Sequence, residues 1–259
     1  MKILFYIILF IGVFCKAGEL ISKELDYPIE SSGVYFGARA SRIEWKAGTR
    51  KFFGYFLGPS AGIDYRKPHH IYGGYRFFWL YGNTKAGNCQ RRMDDMDMQG
   101  RVGYTYGKTL LMTPYTGLGV NAITRKKQHT QAVCHKLSYT GVYVPIGIFF
   151  SYHTPSRVSF GIDYQYMMQV DSYYKMSGFK HISFELKERG SQSLEFPIQF
   201  SYPKPRFHNV QYRIVPFCRT YFYGNAKLIC DCTCECNAAI NLPRQRGYEW
   251  GIRYEVAIW

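Results

Sequence analysis

From Val158 to Val170 the chain alternates without a break. Val158, Phe160, Ile162, Tyr164, Tyr166, Met168 and Val170 share one parity, and Ser159, Gly161, Asp163, Gln165, Met167 and Gln169 the other. Apolar and aromatic residues at period two specify a β-strand with one greasy and one mainly polar face. A second alternating run begins at Val142 and reaches it through His153-Thr154-Pro155-Ser156-Arg157, so the stretch predicts a hairpin.

The rhythm recurs along the chain. Val34, Phe36, Ala38 and Ala40 oppose Tyr35, Gly37, Arg39 and Ser41. Tyr55 to Tyr65 sets Leu57, Pro59, Ala61 and Ile63 against Gly58, Ser60, Gly62 and Asp64. Ile71, Tyr75, Phe77, Trp79 and Tyr81 oppose Gly74 and Arg76, and Met96, Met98, Val102 and Tyr104 oppose Asp95, Asp97, Gln99 and Arg101. Further strands are expected from about Leu111 to Ile123, from Ser193 to Tyr202, from Val210 to Arg219 and from Tyr248 to Ile258. The total is ten strands, with eight as the runner-up because the third and fifth are the least regular.

Connections alternate in length. Short turns are expected at 66–69, 106–109, 153–157 and 203–207, and longer polar segments at 82–94, 124–136, 171–190 and 224–246. Short turns at one end and long loops at the other are the signature of an up-and-down transmembrane β-barrel. The charges agree. Arg39, Asp64, Arg76, Asp97, Arg101, Asp163, Glu195, Arg213, Arg253 and Glu255 all fall on the polar parity. Both signs on that face suit a barrel lumen in which they pair, and would make a poor dry core for a soluble sandwich. The expected fold class is therefore all-β, an antiparallel transmembrane barrel whose apolar face meets lipid.

Composition supports strands and tight turns: the chain of 259 residues has 19 Phe, 24 Tyr and 25 Gly with 20% charged residues. Residues 1–17 read as a secretory signal peptide, with Lys2, the apolar run Ile3 to Phe14, and the small-x-small site Cys15-Lys16-Ala17. Residues 18–32 form a polar lead-in and 33–259 the barrel. The longest later apolar run, Val142 to Phe150, is broken by Pro145 and Gly147. A membrane location thus requires a closed barrel, since open sheet edges are unsatisfied in lipid.

The segment Met112-Thr113-Pro114-Tyr115-Thr116-Gly117-Leu118-Gly119-Val120 resembles the strand motif TPYxGLGxG of small outer-membrane β-barrels of Gram-negative bacteria, the OmpA/OmpX/Opa-like kind. The resemblance implies a monomer in the bacterial outer membrane, inserted by the barrel assembly machinery. That machinery reads a terminal aromatic with apolar residues at alternate positions before it. Trp259 supplies the aromatic, while the apolar set at 248–258 stands one position out of its register.

Seven cysteines follow the leader. Cys89, Cys134, Cys230, Cys232, Cys234 and Cys236 are expected in external loops, and Cys218 outward on the ninth strand. In an oxidising envelope they are disulfide candidates, within the protein or to other envelope proteins. The single-residue spacing of Cys230-Asp231-Cys232-Thr233-Cys234-Glu235-Cys236 suits zinc poorly, which prefers pairs two to four residues apart. That run is similar to envelope proteins of chlamydia-like bacteria. No cofactor or metal is expected.

The formal net charge is +15, and +13 once Lys2 and Lys16 leave with the leader (15 − 2). Lys46, Arg50, Lys51, Arg91, Arg92, Arg125, Lys126, Lys127, Lys136, Lys175, Lys180, Lys187 and Arg189 map to the loop side. Such a basic outer rim, with Arg125, Lys126 and Lys127 at its centre, would bind anionic groups of lipopolysaccharide or acidic host polysaccharide, or simply be solvated. Nucleic acid is not an expected partner of an exported chain.

These observations favour a structural or surface-interaction role, adhesin-like, without a catalytic site. A narrow pore is the alternative, and an omptin-like protease a weaker one. Asp95 and Asp97 put two carboxylates on one inward face, but His129, His135 and His181 fall in loops and no Asp-x-His spacing accompanies them.

Overall fold

The computed structural model describes residues 32–87, 89–128, 136–154, 158–177, 182–186, 189–202, 210–224, 226–229 and 245–258. The leader, nearly all of the lead-in, and Cys134, Cys230, Cys232, Cys234, Cys236 and Trp259 lie outside the described residues. So do His129, His135 and His181.

The described residues form thirteen strand segments and no helix. These are β1 (Gly33–Ala47), β2 (Arg50–Tyr65), β3 (Ile71–Ala86), β4 (Cys89–Tyr104), β5 (Leu110–Gln128), β6 (Lys136–His153) and β7 (Val158–Ser177). They continue as β8 (Ile182–Leu186), β9 (Arg189–Glu195), β10 (Ile198–Tyr202), β11 (Val210–Tyr223), β12 (Ala226–Ile229) and β13 (Gln245–Ile258). Each of β2 to β7 pairs antiparallel with its predecessor.

Three segments are one strand in all but label. β8, β9 and β10 hold a single register against β7, with Met176↔Ile182, Asp163↔Glu195 and Phe160↔Ile198. The interruption at Pro197 follows from its missing N–H. Hydrogen bonds still bridge it, since Gly161 N–H donates to Pro197 O at 2.8 Å and Phe196 N–H to Pro216 O at 2.9 Å. β11 and β12 continue one another in the same way along β9 and β8. The circuit closes where β13 pairs with both β11 and β1, Val34 facing Ile258 on one side and Ile63 on the other. The protein is a closed, antiparallel, ten-stranded transmembrane β-barrel; the eight-stranded alternative is excluded.

The surface is inside out. Phe36, Tyr55, Leu57, Ile71, Leu118, Val170 and Trp250 are exposed, while Arg39, Asp163, Arg253 and Glu255 are buried to 3% exposure or less. Outward apolar runs such as Tyr55–Tyr65, Ile71–Tyr81, Met96–Tyr106 and Phe160–Val170 are each 11 residues long. At roughly 3.3 Å per residue and a tilt of about 40° they span ~25 Å, the height of an apolar band in an outer-membrane barrel. Arg42, Lys51, Asn83, Asp94 and Asp171 are the first outward polar residues above it. A register shift between Val142 and Tyr143 lets Val170 bulge from β7 so that Asp171 also points outward.

Two expected loops are strand. Gly87-Asn88 alone joins β3 to β4, so Gly82–Asp94 is not a loop, and the expected loop at 171–190 is largely strand, with β7 running to Ser177, β8 over Ile182–Leu186 and β9 from Arg189. Asn83 pairs with Arg92, Lys85 with Gln90 and Ala86 with Cys89. Cys89 therefore opens β4 rather than standing in a loop. Above the lipid band an outward residue no longer needs to be apolar, so the ladder continues where the alternation fades. Likewise β5 runs to Gln128 and takes in Arg125, Lys126 and Lys127.

At the lower end, with Gly33 and Tyr65, the described connections at 66–70 and 105–109 are tight turns. His69 N–H donates to Thr105 O and Thr105 N–H to His70 O, tying two turns together. Gly107, at φ 91° in the turn before β5, has a conformation L side chains rarely adopt. Gly107→Val is expected to cost about 1–3 kcal/mol, read as a lowered urea midpoint of the refolded barrel; an unchanged midpoint would reject this turn geometry.

Candidate functional site

The lumen is the candidate site, and it is filled. Among the described residues eight arginines (Arg39, Arg66, Arg76, Arg101, Arg125, Arg213, Arg219, Arg253) and seven carboxylates (Asp64, Asp95, Asp97, Asp163, Glu195, Glu249, Glu255) are buried. The interior is close to charge-neutral, so the net positive charge of the chain resides elsewhere.

At the lower end, Tyr72 OH donates to Asp64 Oδ1 at 3.0 Å and Arg213 to Asp64 Oδ2 at 3.3 Å. Arg213 also stands 3.6 Å from Glu255 and lies over the Tyr35 ring. Arg66 covers Phe149 at 3.9 Å, beside the small aromatic cluster of Tyr72, Tyr115 and Phe149.

The middle layer is the densest. Asp163 accepts from Arg101 at 2.8 Å, Arg76 at 3.1 Å and Tyr115 OH at 2.6 Å. Glu195 accepts from Arg76 at 2.9 Å and takes both Nη atoms of Arg253, at 3.0 and 3.3 Å. Five strands (β3, β4, β5, β7, β9) and the closing strand β13 are laced together by these two carboxylates. Planar guanidinium forks meet carboxylates in two-point geometry, which fixes orientation as well as charge.

Higher up, Arg39 donates to Glu249 Oε1 at 2.8 Å, and Tyr221 OH donates to the other oxygen. The Arg39 guanidinium is held between the Phe78 and Phe217 rings, at 4.1 and 3.9 Å. Arg219 donates to Asp97 at 3.2 Å and Tyr143 OH to the same carboxylate at 2.6 Å. The Tyr143 ring lies across Gly119, where a Cβ would collide with it; an inward glycine here is the seat for a large aromatic.

An apolar cluster then caps the charges. Ile43, Trp45, Phe52, Phe56, Phe78, Leu80, Met93, Ile123, Tyr139 and Tyr221 pack across the upper lumen. Trp45 Nε1–H donates to Gln245 at 3.0 Å, which fixes the ring between β1 and β13. Arg125 stacks on Trp45 at 4.2 Å and is 7% exposed, so it belongs to this cap and not to a basic outer rim. The inward parity of β5 at Arg125 decides this. Lys126 and Lys127 are strand residues facing Lys136 and Arg91 in register.

Each of the ten inward charges named from sequence is buried in the lumen. Their partners emerge only in the closed barrel: Glu249, Arg219 and the bulky ring donors Tyr115, Tyr143 and Tyr221 all sit at inward parity, on strands that the closed circuit brings together. Asp95 and Asp97 do face inward together, but Asp97 is bound by Arg219 and Tyr143, and Asn121 donates to Asp95 at 3.0 Å. Cys218 is exposed on β11.

No protein-family model matches the chain, and no curated protein matches it. Among solved structures, the outer membrane protease OmpT from Escherichia coli superposes with a TM-score of 0.52 at 9% identity, over 92% of this chain and 100% of that one. The translocator domain of the autotransporter NalP from Neisseria meningitidis is 13% identical over 96% of this chain and 95% of its own, with a TM-score of 0.46. The likeness to OmpT is one of fold: the chain has the architecture of an outer-membrane β-barrel.

Proposed function

We propose that this protein is a sealed barrel of a bacterial outer membrane with a structural or surface-interaction role, and that it neither conducts solutes nor cleaves peptides. The observation that carries this reading is the filled lumen: layers of arginine–carboxylate pairs under a cap of Trp45, Phe52, Phe56, Phe78 and Leu80. A permeating ion would have to break charge pairs in a low-dielectric interior, at a cost of several kcal/mol per ion. Eight-stranded barrels are similarly filled by side chains, whereas water channels are found at 16 to 18 strands.

The omptin-like alternative needs a carboxylate that water and peptide can reach. Asp97 is committed to Arg219 and Tyr143, and the apolar cap lies next to it. The strands project above the lipid band, from Arg42 to Ala47 on β1 and from Asn83 to Ala86 on β3. With the upper end facing outward, this projecting wall is the surface available to partners.

Refolded protein in a planar lipid bilayer is expected to give no single-channel steps, and incubation with dibasic peptides no cleavage products. Steady conductance steps would overturn the sealed reading, and specific cleavage the non-catalytic one. Outer-membrane fractionation with heat-modifiable gel migration tests the location, and repeating it without reductant tests cross-linking through the cysteines.

A further inference from the structure

Outward-facing cations form a continuous row just above the lipid band on five neighbouring strands. In the antiparallel register Arg246 of β13 faces Lys46 of β1, and Lys46 faces Lys51 of β2. Lys85 of β3 pairs with Phe53, two residues from Lys51, and Arg92 of β4 pairs with Asn83, two residues from Lys85. All five side chains are exposed.

Like charges directly opposite on paired strands repel and destabilise the sheet. The acids interleaved on the outward side of these five strands at this end, among the described residues, are Glu44 and Asp94. Asp94 stands 3.9 Å from Arg92. Six exposed cations, Arg42 included, thus face two carboxylates, and the row calls for an external anion.

The height of the row says which anion. Arg42 stands two outward positions below Lys46, with Glu44 between them, and its guanidinium lies over the Tyr55 ring at 5.9 Å and the Trp250 ring at 5.3 Å. On β3, Trp79 and Tyr81 stack with ring centroids 4.8 Å apart, Tyr81 facing Leu57 of β2 in register. Tyr and Trp belts mark the depth of lipid headgroups, so the cations stand where headgroup phosphates lie. Ammonium and guanidinium groups bind phosphate oxygens through charge-assisted hydrogen bonds, and a soluble polyanion would gain nothing from the aromatic belt below.

We propose that this collar of Arg42, Lys46, Lys51, Lys85, Arg92 and Arg246 binds the phosphate groups of an anionic lipid of the outer leaflet, with lipopolysaccharide as the source. The proposal rests on the outward orientation of the upper end given above. The site lies on the strand flanks, not in the loops, and it covers about half of the circumference.

The test is a titration of the refolded full chain in neutral detergent micelles with diphosphorylated lipid A and with its dephosphorylated form. The wild type should bind the phosphorylated lipid about a hundredfold more tightly, equivalent to about 2.7 kcal/mol, as expected when two or three of the six cations engage phosphate at once. The variant carrying Arg42→Gln, Lys46→Gln, Lys51→Gln and Arg246→Gln should lose that preference while keeping its heat-modifiable migration. The double variant Lys46→Gln, Lys51→Gln serves if the quadruple one does not fold, and should lose an intermediate share. Equal binding of the two lipids, or an unchanged preference in the folded variant, overturns the proposal. Displacement of the lipid by heparin would overturn it in favour of an acidic polysaccharide, and displacement by inorganic phosphate would remove the lipid from it. Conductance steps in a bilayer would defeat the sealed-lumen reading and leave this titration untouched, so the two failures are distinguishable.

Discussion

Glu195→Ala is expected to destabilise the barrel by about 3–5 kcal/mol, read from urea unfolding of the refolded protein in micelles. The carboxylate is the shared acceptor of Arg76 and of both Nη atoms of Arg253. Removing it leaves guanidinium groups buried with too few acceptors: Arg76 keeps Asp163, and Arg253 keeps Glu255 at 2.6 Å. Glu195→Gln retains the volume and one carbonyl acceptor, and should lose less. The exposed pair of Arg92 and Asp94 is the internal control. Arg92 is 60% exposed there, and Asp94→Ala should change stability by only about 0–1 kcal/mol. If Glu195→Ala unfolded at the wild-type midpoint, the middle of the lumen would have to be wet enough to solvate two arginines, and the sealed reading would fall with it.

The second large effect is expected on the opposite face. Tyr164→Arg places a cation near the middle of the apolar band on β7, at a position 41% exposed. On a soluble β protein an exposed substitution of this kind stays within about 0.5 kcal/mol of neutral. In lipid it should cost about 2–4 kcal/mol, falling to about 0–1 kcal/mol for Tyr104→Arg at the lower edge. The dependence on depth is the informative part. Equal small costs at both positions would place this face in water; equal large costs would point to packing against another protein.

The lipid-facing half of the molecule was legible because the bilayer imposes one rule on it, apolar residues at every second position for about eleven residues. Tyr55 to Tyr65 and Phe160 to Val170 obey it cleanly. The lumen obeys no such rule. Near its middle the inward residues are charged and the alternation is sharp, as at Asp95, Asp97, Gln99 and Arg101. Near its top they are Phe78 and Leu80, between outward Phe77, Trp79 and Tyr81, and the contrast between faces vanishes. The apolar cap was therefore invisible as a pattern, and β3 looked irregular for the same reason. Arg125 was misplaced because a basic run reads as loop when parity is not followed through it. The pairing of Arg39 with Glu249 joins residues 210 apart, and only the register of closure brings them face to face.

That closure has a kinetic consequence. β1 is hydrogen-bonded to β2 at once, but its other edge waits for β13, the last strand in the chain. Each ladder between consecutive strands is local, while the β1–β13 seam joins residues some 200 positions apart, and contacts of that separation make folding slow. Until β13 arrives, Arg39 lacks Glu249, Trp45 lacks Gln245 and the β1 edge is an open template for pairing with other chains. Barrel formation is thus committed at its final strand, and a chain held unfolded until then escapes aggregation along the one edge that the finished molecule does not have.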